Sequence, residues 1–225
     1  MSKFSVVLRN LYSGQMKIWP LIVIAVITIL AYQNSFSVPL QFDDHVHFGF
    51  IESGVYQMDS LWRTTRWLST WTLMAQYSVH GRSVFPYHVF NLVIHILNAF
   101  LVYFLTYQLL KKTSRADTNL IVLTAVSAGL IFAVHPLQTQ AVTYIVQRVT
   151  SLVTLFFLLA NNLFFFYNVN SAKLSAKKMV LLAGAVLMAG VAGAISKENG
   201  MVLPAVLLLQ VLVFSPSRLR ARNLL

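Results

Sequence analysis

The stretch VFPYHVFNLVIHILNAFLVYFLTYQLL, residues 84–110, decides how this chain folds. It contains no Asp, Glu, Lys or Arg, and it exceeds the ~20 apolar residues a helix needs to cross a bilayer. The hydrocarbon core offers no water, so a crossing segment must satisfy its own backbone, as a helix does. Working outward from it, further apolar runs lie at 18–32, 120–134, 149–167, 179–195 and 200–214. The first, third and last of the runs are short and need flanking polar residues or local thinning to span. Composition agrees: 57% of residues are hydrophobic, 10% are charged and mean hydropathy is +0.69, where a soluble domain carries about 25% charged residues. The sequence therefore predicts an all-α, polytopic transmembrane helical bundle of about six spans, one domain over residues 1–225.

Charge sets the expected orientation. Lys3, Arg9 and Lys17 precede the first run, and no small-residue cleavage site follows it, so that run reads as a retained span. Lys111, Lys112 and Arg115 lie between the second and third runs, Lys173, Lys177 and Lys178 between the fourth and fifth, and Arg218, Arg220 and Arg222 after the sixth. With six alternating crossings these cations share one side. Arg63, Arg66, Arg82, Arg148 and Lys197 take the other, with every acid but Asp117. The positive-inside rule then puts both termini in the cytoplasm. The net charge of +11 comes from clusters between apolar runs, a pattern for anionic lipid headgroups. It excludes a nucleic-acid partner. The chain has no cysteine, which excludes disulfides and thiolate metal sites.

The first extracytoplasmic loop, 33–83, is long, as functional loops often are. Trp62, Trp67 and Trp71 recur in it near helical spacing with Leu61, Leu68 and Met74, interrupted by Arg63 and Arg66. This predicts an amphipathic helix in the membrane interface, its indoles at headgroup level. An additional short span over 67–79 is the alternative.

Asp43 and Asp44 close a short extended stretch, 37–42, just after the first span. Adjacent carboxylates repel, so a cation or hydrogen-bond donor must balance them. Such a carboxylate suits a general base toward a hydroxyl, or a ligand for a divalent ion; a solvated pair in a loop is the bland reading. The sequence itself requires no metal or other cofactor. Arg66, Arg148 and Lys197 lie close to span boundaries on the same side, where they suit a phosphate near the bilayer or plain headgroup anchoring. His88, Asn91, His95 and Asn98 form one polar stripe on the second span. The histidines are about 10.5 Å apart along the axis at 1.5 Å per residue, too far to share a metal. Interhelical packing is the favoured reading of the stripe and substrate contact the other. His135-Pro136 ends the third run, followed by Gln138, Thr139, Gln140 and Gln147-Arg148. Lys197-Glu198 forms a hairpin between the last two runs. Charges so near hydrocarbon mark a functional site by default.

Taken in order, Phe42-Asp43-Asp44, Arg66, Pro86-Tyr87-His88, the run Phe132-Ala133-Val134-His135-Pro136-Leu137-Gln138-Thr139-Gln140-Ala141-Val142, Gln147-Arg148 and Ser196-Lys197-Glu198 form a familiar series. It resembles the N-terminal membrane half of the GT-C superfamily glycosyltransferases, in their TMTC-like, tetratricopeptide-linked, protein O-mannosyltransferase-like branch. The resemblance implies a polyprenyl- or dolichyl-phosphate sugar donor, an extracytoplasmic protein or glycan acceptor, and inversion at the anomeric carbon. It implies catalysis by Asp43 or Asp44 and a donor phosphate held by Arg66, Arg148 and Lys197. His88, His95, His135, Gln140 and Glu198 complete the candidate site. Where relatives commonly read Arg-Pro-Leu, this chain has Arg66-Trp67-Leu68. The family continues into further spans and repeats, so the chain is expected to be a fragment or a half-size protein completed by a second chain. A non-catalytic membrane scaffold of the same fold is the alternative function, and a transporter a weaker one. A bacterial inner membrane is expected over an endoplasmic one.

Overall fold

The computed structural model describes residues 18–58, 65–170 and 174–214, and every regular element among them is helical. Asp59, Leu61, Trp62 and Arg63, and the terminal and linker cations Lys3, Arg9, Lys17, Lys173, Arg218, Arg220 and Arg222, lie outside the described residues.

Helix α1, Trp19–Tyr32, starts with Pro20 in its first turn, where a missing N–H costs nothing, and runs on through a tighter turn, Gln33–Ser37. Two helices occupy the long loop: α2, Asp43–Glu52, and α3, Trp67–His80. The central helix α4 covers Val84–Thr113 and packs on α1, α5 and α7. Asp117 starts α5, Thr118–Val134, by accepting from the Asn119 amide at 2.9 Å. Pro136 ends it: His135 before the proline is extended, and the chain bends by 51° into Pro136–Gln138 and the short α6, Thr139–Thr143. Helices α7, Arg148–Asn170, and α8, Ala176–Ser196, form a hairpin, and α9, Leu203–Phe214, returns against α7.

Four of these segments are long and apolar enough to span: Trp19–Ser37, Val84–Thr113, Ile145–Asn170 and Ala176–Ser196. The bent pair Thr118–Val134 with Pro136–Thr143 makes a fifth. They extend the runs read from sequence by a few residues at their ends. The sixth run corresponds to the shorter apolar helix Glu198–Phe214, a tight turn that continues into α9. Helix α3 has 14 residues, fewer than a crossing helix needs, and 67–79 is not among the candidate spans.

The core is built from small contacts. Ile24, Ala99, Tyr103, Ala125 and Val126 join α1, α4 and α5. A methyl on Gly129 would sit 2.9 Å from Ile24 Cδ1 and 3.2 Å from the Ala99 carbonyl, so glycine there lets α5 approach α4 closely. Phe48, Leu73, Tyr87 and Ile145 fasten α2 and α3 over the starts of α4 and α7. Large apolar side chains such as Ile22, Leu30, Leu123, Ile131, Leu187 and Met188 point outward, as a lipid-facing bundle requires.

Alternation of these helices gathers the C-termini of α1, α5 and α8 and the N-termini of α4 and α7 at one end. Hydrogen bonds from Ser69 Oγ to the Ser196 carbonyl, 3.1 Å, and from the Val146 amide to Asp44, 2.8 Å, tie the loop helices there. Gly200 is required at the turn after α8. A Cβ on it would lie 2.5 Å from the Gly193 carbonyl carbon and 2.6 Å from the Ala194 nitrogen. Lys197 and Glu198 are held at this end by that close approach.

Candidate active site

The two aspartates part company at the start of α2. Phe42 takes a left-handed backbone, φ 44°, which a bulky residue adopts only under constraint. That kink folds Asp44 back into the protein, where it is fully buried. Its Oδ2 accepts from the Gln41 amide at 3.0 Å and its Oδ1 from the Val146 amide at 2.8 Å. Burial pushes the carboxyl above its usual range, and these amides pull it part of the way back. Asp44 is thus a tether between the loop and the segment before α7. Asp43 is exposed. Its own amide donates to Tyr144 Oη at 2.9 Å, which fixes the backbone that carries the carboxylate.

The two arginines meet at a small open cleft lined by His47, Arg66, Ser69, Thr70, Arg148 and their apolar neighbours. Arg148 is 1% exposed. Its Nη2 donates to Gln76 Oε1 at 2.8 Å, and its guanidinium lies 4.8 Å from the Phe90 ring centroid and 5.5 Å from that of Tyr87. Among the described residues its Nε and Nη1 have no hydrogen-bond partner, an expensive condition for a buried cation. Arg66 reaches Glu198 through two parallel bonds, Nε to Oε1 at 3.0 Å and Nη2 to Oε2 at 3.1 Å. The guanidinium beside it holds the Glu198 carboxyl down at about 2, so this carboxylate stays ionised. Both partners are about half exposed, so their pairing is easily exchanged for another anion. Lys197 Nζ donates to Thr150 Oγ1 at 2.9 Å, two residues beyond Arg148.

The polar stripe on α4 is buried among helix ends. His95 Nε2 donates to the Ala133 carbonyl at 2.8 Å, an acceptor left open by the proline break. His88 Nε2 donates to the Val38 carbonyl at 2.9 Å, and Asn98 Nδ2 to the Ser151 carbonyl at 3.0 Å. Asn91 Nδ2 donates at 3.3 Å to the Ile145 carbonyl. These four side chains fix where the irregular segments sit and do not line the cleft. His135 is exposed and caps the turn after it, its Nδ1 accepting from the Leu137 amide at 3.2 Å. Gln140 is exposed on α6. Among the described residues no three His, Asp or Glu side chains gather in a metal-binding group.

A protein O-mannosyl-transferase of Caenorhabditis elegans is similar to this chain. The two are 30% identical over 139 residues, which is 62% of this chain and 18% of that protein. The chain therefore spans less than a fifth of the relative it matches. No protein-family model matches the chain, and no solved structure does.

Sequence reasoning missed His47. It stands one helical turn after Asp43 on α2 and lines the cleft with both arginines. The signal was present in the spacing of positions 43 and 47, but it becomes legible only once this loop segment is known to be a helix. Chemically, the cleft offers guanidinium donors with unspent hydrogen-bonding capacity, a combination suited to binding an anion.

Proposed function

We propose that this chain is the donor-binding membrane part of a glycosyltransferase that moves a sugar from a polyprenyl-phosphate carrier to an extracytoplasmic hydroxyl, on a protein or glycan acceptor. The carrying observation is Arg148: a buried guanidinium on the wall of an open cleft, with two N–H-bearing nitrogens lacking partners, at the end of the bundle where Asp43 is exposed. In the reaction, Asp43 takes the proton of the acceptor hydroxyl as its oxygen attacks the anomeric carbon. The bond from that carbon to the phosphate oxygen breaks, and the phosphate leaves with the electron pair. Its growing charge is met by Arg148 and by Arg66, once Glu198 yields, with Lys197 alongside. Positive charge fixed in place before the reaction is what lowers such a barrier, because nothing must reorganise when charge develops. Inversion at the anomeric carbon follows from a single displacement. The working face is extracytoplasmic, both termini are cytoplasmic, and a second chain or further segments complete the enzyme.

Transfer from a radiolabelled polyprenyl-phosphate sugar in membranes tests this reading. D43N should lower transfer by ~10²–10⁴-fold, the usual contribution of a positioned general base. Undiminished transfer by the D43N/D44N double variant would remove the mechanism.

A further inference from the structure

The cleft between Arg66 and Arg148 has a third nitrogen-bearing wall, His47. Its ring is fixed on one side: Nδ1 lies 2.8 Å from Tyr56 Oη, and the Tyr56 and Phe50 rings pack at 5.8 and 6.3 Å between centroids. A phenol is the better acid and an imidazole nitrogen the better acceptor, so the hydroxyl donates to Nδ1 and the ring proton sits on Nε2. Burial holds the imidazole below its ordinary range, although Asp43 and Asp44 pull the other way, which keeps the ring neutral near pH 7. Among the described residues Nδ1 alone of the ring nitrogens has a hydrogen-bond partner, so Nε2 is left for the cleft. His47 therefore offers the cleft one N–H in a fixed tautomer. A nitrogen that carries a proton cannot act as a base, so the ring does not duplicate Asp43. Two guanidiniums and the Thr70 hydroxyl share its cleft, and that set of donors selects an anion.

We infer that His47 contacts the phosphate of the lipid donor, its Nε2–H donating to an oxygen held between Arg66 and Arg148, and that Tyr56 is the positioning residue that sets the tautomer. This rests on the donor class proposed above. A purely structural His47 would hold Tyr56 and touch no ligand.

The test is direct binding rather than turnover. Farnesyl phosphate, with farnesol as its uncharged control, is titrated into the purified full chain in nanodiscs, and melting is followed in parallel. H47A should weaken farnesyl phosphate by ~10- to 100-fold, the range for one hydrogen bond to a charged group, and leave farnesol unchanged. H47Q keeps an N–H at similar reach and should recover most of the loss. Y56F frees the ring to change tautomer and should weaken the phosphate alone, by less than H47A. Should H47A lose its melting transition, H47M is read in its place, since it keeps the volume and removes the donor. Equal phosphate affinity in wild type and H47A, with wild-type preference over farnesol intact, would overturn the role of His47 and leave the donor class standing. No preference for farnesyl phosphate in the wild type would overturn both.

Discussion

Replacing Arg148 with Met separates a residue held for stability from one held for a ligand, because only the first predicts a loss of melting. Met keeps the stem and removes the charge. Against folding, the substitution loses one charged hydrogen bond to Gln76, worth about 1.5–3 kcal/mol, and contacts with the Phe90 and Tyr87 rings, worth about 2 kcal/mol each when desolvated. In favour of folding, it relieves a 99%-covered guanidinium whose Nε and Nη1 have no partner, and burying a charge costs several kcal/mol. The terms nearly cancel, so R148M should melt within a few degrees of wild type. Transfer should behave differently. If the two idle nitrogens each make one charged bond to the leaving phosphate, about 1.5–3 kcal/mol apiece is lost. Together that is roughly 10²–10⁴ in kcat/KM at 1.4 kcal/mol per tenfold. The assay pairs sugar transfer in membranes with thermal melting of the purified protein. Collapse of melting with transfer lost in proportion would show that Arg148 serves the fold, and wild-type transfer at normal stability would show that it serves neither.

Other outcomes follow from the same geometry. D44N exchanges one carboxylate acceptor for an amide donor facing a backbone N–H, so it should destabilise by about 1–3 kcal/mol, and its transfer should fall only with the folded fraction. Because burial lifts Asp44 above its ordinary 3.8, the folded state keeps that proton longer, and this group's contribution to stability falls as pH rises from there through the folded value. Melting of D44N should lack that slope. G200A forces a methyl against the backbone of Gly193 and Ala194, and should cost at least about 1–3 kcal/mol of stability, seen as a lower melting temperature and weaker donor binding. The cysteine-free background makes sidedness simple to read: D43C should react with an impermeant maleimide added outside intact cells and K112C should not, and the reverse pattern would invert the proposed orientation.

The sequence by itself determined the architecture. A bilayer permits few solutions, so long uncharged runs such as 84–110 specify helices whatever their neighbours do. The break at Pro136 was equally legible, because a proline removes a donor and constrains the residue before it. The stripe His88, Asn91, His95 and Asn98 could be placed on one helix face from its spacing, though not the carbonyls it meets, since those belong to remote segments. What only the tertiary structure decided was the division of labour inside the charged cluster. Asp43 and Asp44 are identical in sequence terms, and a backbone kink at Phe42 together with an amide 102 residues further on buries one and exposes the other. Arg148 and Arg66 read alike along the chain, yet one is enclosed with idle donors and the other is paired at the surface with Glu198. Burial and hydrogen-bond satisfaction are set by groups distant along the chain, and those are the quantities that separate a tether, a base and an anion site.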